Sequence, residues 1–312
     1  MATLLDIVLP IFGIIGAGYL AGVRGLLGAE SSEALNRFVY WVALPALLFK
    51  SMAIVELGEL WNPPFLAGVA GVTLAIWIVS GIAARLIFRL SPAEAVLHGL
   101  NGSYANAGYM GIPLAIAAYG EAAALPAIIC AIVAVTSVGI ALLPMELANQ
   151  SGGSTGALIR RILWALATNP MLVAPAAGLS VAAAGLTLPI PIAAFAATLG
   201  AAAGPCALFA IGLFLVGKPF SERMGEVCAM GVTKLFIHPA LTALAVIWLY
   251  PADPLWAKVA ILSAALPVGA GTFVLAQATG VYVQRTSATV MVSTVLSLAT
   301  ISLFFLWFPA GA

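Results

Sequence analysis

Apolar residues run through this chain in blocks of roughly twenty, and the few charged residues gather between the blocks. A helix needs ~20 such residues to cross the hydrocarbon of a bilayer. Ten blocks can be read, at 4–23, 35–54, 64–88, 93–119, 122–147, 162–186, 192–216, 226–250, 255–280 and 288–308. The sixth has the least certain start, because Arg160 and Arg161 suit an interfacial lead-in helix. The expected fold class is an all-α membrane protein with ten transmembrane helices.

The fourth block departs from the pattern. It reads Asn101-Gly-Ser-Tyr-Ala-Asn106-Ala-Gly-Tyr-Met-Gly111-Ile-Pro113-Leu114, with amides, glycines and tyrosines where a plain span carries Leu, Val and Ala. Backbone polar groups in hydrocarbon must be paired, so a helix breaks there only where protein or a water-filled cavity surrounds it. Broken helices at mid-membrane depth typically form solute sites in secondary transporters. The ninth block carries a second interruption, Ala265-Leu-Pro267-Val-Gly269-Ala-Gly271-Thr-Phe273. Proline removes a helix donor there and glycine loosens the backbone.

A shift of 160 residues superimposes the chain's own landmarks: Pro10 on Pro170, Gly18 on Gly178, Pro45 on Pro205, Phe49 on Phe209, Ser103 on Ser263 and Gly111 on Gly271. The register predicts a duplication, with halves at 1–149 and 157–312 and a polar linker at 150–156. Five spans in each half make the second enter the membrane inverted. The two interruptions then meet near the midplane and cross. Half-helix N-termini after Gly111 and Gly271 would point their positive dipole ends at the crossing, where a carboxylate fits.

Composition agrees: the 312 residues are 63% hydrophobic and 7% charged, with a mean hydropathy of +1.14, too little polar surface for a soluble domain. A net charge of +1 from scattered basic residues is no nucleic-acid footprint. Cys130, Cys206 and Cys228 fall within spans and read as buried packing thiols. Asp6 and the absence of a basic start argue against a cleaved signal peptide. Arg24, Arg37, Arg85, Arg89, Arg160, Arg161, Lys218, Arg223 and Arg285 occupy alternate connections. By the positive-inside rule, both termini lie on the outer side of the cell (inner) membrane.

At the interrupted spans the sequence resembles the auxin efflux carrier family, which includes plant auxin exporters and bacterial permeases for malate- and malonate-like acids. Asn106-x-x-x-Met110-Gly-Ile-Pro-Leu114 closely matches the family's fourth span. Asn36-Arg-Phe-Val39 with Pro45, Leu208-Phe-x-Ile-Gly212-Leu-Phe214, and Ala265-Leu-Pro267-x-Gly269-x-x-x-Phe273-Val274 support it. The resemblance implies two inverted five-helix repeats with crossed helices 4 and 9, akin to sodium–proton antiporters and bile-acid symporters. It further implies a scaffold of spans 1, 2, 6 and 7, a mobile transport unit moving as an elevator, and a homodimer through the scaffold. Unlike the plant members, this chain has no long hydrophilic insert and no Asp or Glu in its third span.

The candidate substrate-binding residues are Asn106, Asn101, Ser103, Tyr104, Gly111, Gly271, Thr272, Gln277 and Lys50, while Pro113, Pro267 and Gly269 shape the crossing. The Asn106 amide either donates to a carboxylate or caps the second half-helix. Tyr104 and Tyr109 either wall the pocket or pack between helices. Lys50 either snorkels to the interface or steers anions. Gln277 either reaches the cavity or bonds across helices, and Lys234, His98 and His238 lie within or near spans. No metal, cofactor or catalytic residue is expected: the chain has no His-Glu-x-x-His, and no nucleophile beside a base. Asp6, Glu94, Glu121, Glu146, Glu226 and Asp253 lie near span ends, leaving no evident buried carboxylate for a coupling ion. The expected function is elevator-type efflux uniport of a small organic carboxylate; the alternative is a sodium- or proton-coupled symporter or antiporter on the same fold.

Overall fold

A computed structural model describes residues 8–60, 62–148, 155–217 and 223–310. The described residues are all-helical, with no strand. The chain runs through α1 (Leu9–Val23), α2 (Ala29–Phe38), α3 (Leu44–Ala53), α4 (Leu57–Leu60), α5 (Pro63–Phe88) and α6 (Pro92–Ser103). It continues through α7 (Ile112–Tyr119), α8 (Ala124–Ala148), α9 (Thr155–Ala167), α10 (Pro170–Ala183), α11 (Ile190–Ala201) and α12 (Ala203–Leu215). It ends with α13 (Met224–Val232), α14 (His238–Leu244), α15 (Pro254–Ala265), α16 (Ala270–Thr279) and α17 (Val283–Trp307). Five helical stretches among the described residues are long and apolar enough to cross a bilayer, and a sixth if Ile159–Ala167 and Pro170–Ala183, bent by 59°, count as one span. That bend divides the expected sixth block, with Arg160 and Arg161 on the lead-in piece α9. Most of the expected linker lies outside the described residues, as do Asp6 and Lys218.

Among the described residues, four complete π turns widen these helices, at Val39–Ala43, Ala107–Gly111, Thr233–Ile237 and Ala245–Leu249. Each ends two residues before a proline: Pro45, Pro113, Pro239 and Pro251. A proline ring inside a helix clashes with the carbonyl four residues back. Those carbonyls, of Trp41, Tyr109, Leu235 and Ile247, all lie within the widened turns. The residue before each proline bonds five residues back instead: Leu44 to Val39, Ile112 to Ala107, His238 to Thr233 and Tyr250 to Ala245. At the first three the helix continues past the ring. Pro144 and Pro175 lie inside α-helices without such a turn, and the structure gives no local reason for the difference.

Glycines set the closest helix contacts, as expected where apolar lipid gives helices little hydrophobic reason to associate. Gly18 of α1 lies against the Phe209 carbonyl of α12, and Gly178 of α10 against the Phe49 carbonyl of α3. These two contacts are one contact displaced by 160 residues, Gly18 answering to Gly178 and Phe49 to Phe209. Gly81 and Gly99 bring α5 onto α6 in the same way. α1, α2, α3, α10, α11 and α12 thus pack together on one side, while α13 and α16 lie with α6 and α17 on the other. α8 runs along both groups. Buried side chains form two clusters: a larger one that holds Leu44, Leu48, Met110 and Leu208 and reaches into α5, α15 and the end of α17, and a smaller one that holds Trp77, Leu97, Leu100 and Met230. Leu86, Ile190, Trp248 and Trp307 stay exposed on the outer surface, the side a bilayer would solvate.

Gly18→Leu and Gly178→Leu should each lower stability by about 1–3 kcal/mol, the usual effect of overpacking a tight contact. Gly13→Leu, with nothing within 4 Å of its added Cβ, should leave the melting temperature in detergent unchanged. Equal melting of all three variants would mean that the glycine contacts do not hold the helices together.

Candidate substrate site at the paired helix breaks

The two interruptions lie against each other. α6 stops at Ser103 and the chain runs extended through Tyr104 before a helical turn resumes at Ala107. α15 stops at Ala265, and Leu266 and Gly269 are extended before α16 begins at Ala270. Ala105 and Val268 form an antiparallel bridge between the extended segments. The Asn106 N–H donates to the Pro267 carbonyl at 2.9 Å, and the Gly269 N–H to the Tyr104 carbonyl at 3.3 Å. The Val268 N–H donates to Ser293 Oγ of α17 at 3.1 Å. Each break therefore supplies partners that the other lacks.

The second half-helices begin at Ala107 and Ala270, not after Gly111 and Gly271. Pro113 does not stop the helix, because the π turn before it absorbs the ring. Gly111 therefore sits inside the resumed helix, where an added Cβ would lie 2.8 Å from Leu266 Cδ1. Gly269 and Gly271 make room for the Tyr104 ring; a Cβ on Gly271 would lie 2.5 Å from the Tyr104 hydroxyl oxygen. Tyr104 is thus a packing residue over the second break. Pro113 is packed against Gly204 of α12, 3.0 Å from where a Cβ would stand.

Asn106 is buried at the N-terminal end of the resumed helix, but its side chain does not cap it. Its backbone carbonyl instead accepts from the N–H groups of Met110 and Gly111, both at 3.1 Å. Thr272 is fully buried in the first turn of α16 and donates to the Gly269 carbonyl at 3.1 Å. Ser103 donates back to the Gly99 and Leu100 carbonyls and lines a small cavity. Asn101 is buried with its amide nitrogen 3.0 Å from Thr286 Oγ1 on α17 and its carbonyl oxygen unpartnered. It belongs to the α6–α17 contact rather than to the break.

Gln277 is exposed on α16. Five residues separate it from Thr272, and at 100° each that turns it about 140° away from the buried face. Lys50 is half-buried in the last turn of α3, where a cation complements the carbonyl end, and no described contact joins it to the break. Cys228 is exposed rather than packed inside.

A second cluster is not legible in the sequence. Arg285 Nη1 lies 2.9 Å from Glu94 Oε1, and its Nε lies 3.2 Å from Glu226 Oε2. The Tyr282 hydroxyl donates to Glu226 at 2.7 Å and lies 3.0 Å from His98 Nδ1. The Arg285 guanidinium stands 4.7 Å above the Tyr282 ring. Tyr282 adopts a left-handed φ of 59°, uncommon outside glycine, held by these contacts. Glu226 is thus a buried carboxylate, contrary to expectation, but an arginine neutralises it. No sequence spacing reveals a partner 59 residues away.

With this geometry in hand, comparison with known proteins gives the family. The membrane transport protein family, described in those words, matches residues 3–305. The chain belongs to that family, the auxin efflux carriers to which its motifs pointed. It is 34% identical over 313 residues to the "Putative malonate transporter" of Rhizobium meliloti, spanning 100% of this chain and 98% of the relative. An uncharacterized transporter of Methanothermobacter thermautotrophicus is 26% identical over 96% of each chain. The mouse lysosomal cholesterol signaling protein is 31% identical over 114 residues, 36% of this chain and 13% of its own length. The family and its named relatives mark a multi-pass membrane transporter.

Arg285→Ala would leave Glu226 buried without its partner, an expected loss of about 3–5 kcal/mol. Arg37→Ala, at an ion pair whose side chains are 73% and 63% exposed, should change stability by less than about 1 kcal/mol. Denaturation of both variants in detergent tests the contrast.

Proposed function

We propose that this carrier exports a small organic carboxylate, auxin-like or malonate-like, and binds it where the two breaks meet. The observation that carries this reading is the bridge between the breaks, beside an Asn106 whose side chain is not used as a cap. The first N–H groups of the helical turns at Ala107 and Ala270 have no intrahelical partner, and the helix dipoles place partial positive charge there. Asn106 adds amide donors at the same place, and the Thr272 hydroxyl, bonded to the Gly269 carbonyl, holds the start of α16 there. The family and the malonate-named relative support the substrate class.

The same reading takes the fold as ten spans in two inverted repeats, 1–149 and 157–312, with helices 4 and 9 crossing. The displaced Gly18–Phe209 and Gly178–Phe49 contacts support the duplication. α1, α2, α3, α10, α11 and α12 would form the scaffold through which a homodimer assembles, and the helices around the breaks the mobile unit. The cavity beside the breaks is about 20 Å³, room for little more than a water. A dicarboxylate therefore enters only after the unit moves, which suits an elevator. Transport is uniport: Glu226 is held by Arg285, leaving no free acid there to carry a coupling ion. An inside-negative potential then favours export by ~2.3 kcal/mol per charge per 100 mV.

Asn106→Ala should weaken carboxylate binding by roughly ten- to a hundredfold, the value of a lost hydrogen bond to a charged group of ~1.5–3 kcal/mol. Calorimetry on folded protein reads it, and unchanged affinity would remove Asn106 from the site. The orientation, with both termini outside, predicts that Ser154→Cys in a cysteine-free background reacts with an impermeant thiol reagent only after the cells are opened. Labelling of intact cells would reverse the topology.

A further inference from the structure

Lys234 stands beside the breaks and has no part in the reading above. It lies on the π turn Thr233–Ile237, with none of its surface exposed. Its Nζ donates to the carbonyl oxygen of Ala264, the next-to-last residue of α15. Carbonyls in the last turn of a helix lack intrahelical donors, and about half a negative charge gathers there. The ammonium is thus bonded to the negative end of the half-helix that leads into the second break. The matching end of α6 has no such charge. Its carbonyls are met by the Tyr104 N–H, 2.7 Å from the Leu100 oxygen, and by the Ser103 hydroxyl.

Ala264 also lines the small cavity, together with Thr73, Ser103, Ser263, His238 and Thr242. His238 Nδ1 and Thr242 Oγ1 are buried there without a hydrogen-bond partner. His238 lies one turn from Lys234 on the same span, and Cys130 is the titratable group that α8 brings to the cavity. The nearest acid along the same span, Glu226, is eight residues away and bound to Arg223 and Arg285. Neutral hydroxyls and the carbonyl end of a helix are the hard oxygen ligands that an inorganic cation would take. An ammonium already stands at that carbonyl.

We propose that Lys234 is a tethered cation: it takes the place of an inorganic coupling ion at the breaks, supplies fixed positive charge for the substrate anion, and makes transport independent of sodium. The proposal rests on the anion site at the breaks and adds the charge that serves it. Because the charge stays with the carrier, one cycle moves only the anion.

Lys234→Met removes the charge and keeps much of the volume and flexibility of the side chain. Wild-type efflux of radiolabelled malonate from proteoliposomes should be equal in sodium and in N-methylglucamine media. Sodium-free flux of the variant should fall by about tenfold or more, and sodium should restore part of it. Sodium should also raise the melting temperature of the purified variant and not that of wild type. The melting comparison needs no substrate. If wild type carries no carboxylate yet sodium stabilises the variant alone, the anion assignment fails and the tethered cation stands. The proposal is overturned by sodium-dependent flux or melting of wild type, or by wild-type flux that needs a proton gradient. It is equally overturned by a variant that transports normally without sodium, or that loses flux with no sodium response in either assay. Should Lys234→Met not fold, Lys234→Gln, which also removes the charge, is read by the same flux and melting assays.

Discussion

Everything about the breaks derives from one constraint: inside hydrocarbon, each backbone N–H and C=O needs a partner. An interrupted helix frees several of these groups at once. Here the two interruptions answer each other, Asn106 N–H to Pro267 and Gly269 N–H to Tyr104, while Ser293 takes the Val268 N–H. A lone break in this chain would need water or a ligand at the same depth. Pairing them fixes both segments in register and leaves the new helix starts beside the bridge. The proposed anion site is a consequence of that pairing.

The prolines show the same constraint at smaller scale. Each of four rings sits just past a π turn that moves the clashing carbonyl aside and finds the preceding N–H a bond five residues back. The cost is an extra residue in the turn, which rotates the helix on one side of it by about 100° relative to the other. Two of these turns adjoin the residues proposed for the site: Ala107–Gly111 comes directly after Asn106, and Thr233–Ile237 contains Lys234. Such turns are frequent at functional positions. Pro113 and Pro239 therefore act at a distance of several residues, by setting the phase of the helix before them.

Much of this is legible in the sequence, and the limits have physical causes. Gly, Pro and Asn in the fourth block mark the break because those residues are costly in a plain span. The half-helix start lies a turn earlier than Gly111, since a proline that reads as a stop is tolerated by a widened helix. Gln277 and Thr272 lie on different faces of α16, because distance along a helix says nothing without its phase. The register at 160 is visible as matched landmarks, and Gly18 and Gly178 prove to make equivalent contacts. The Glu94–Arg285–Glu226–Tyr282–His98 cluster is hidden, because its members come from three distant segments, each with an ordinary local pattern.

That cluster and the breaks divide the electrostatic work between them. Glu226 and Glu94 share Arg285, so two acids and one guanidinium are satisfied locally with Arg223 at the rim. Lys234, only two turns from Glu226 along the same span, bonds to a carbonyl instead of an acid. A buried ion pair between Lys234 and Glu226 would have cancelled both charges. Keeping them apart leaves the lysine's charge directed at the end of α15, beside the proposed anion site. A charge facing a helix end rather than a carboxylate attracts an anion without binding a full countercharge. That is the electrostatic condition the proposed carrier needs: a site that holds its anion and can still let it go.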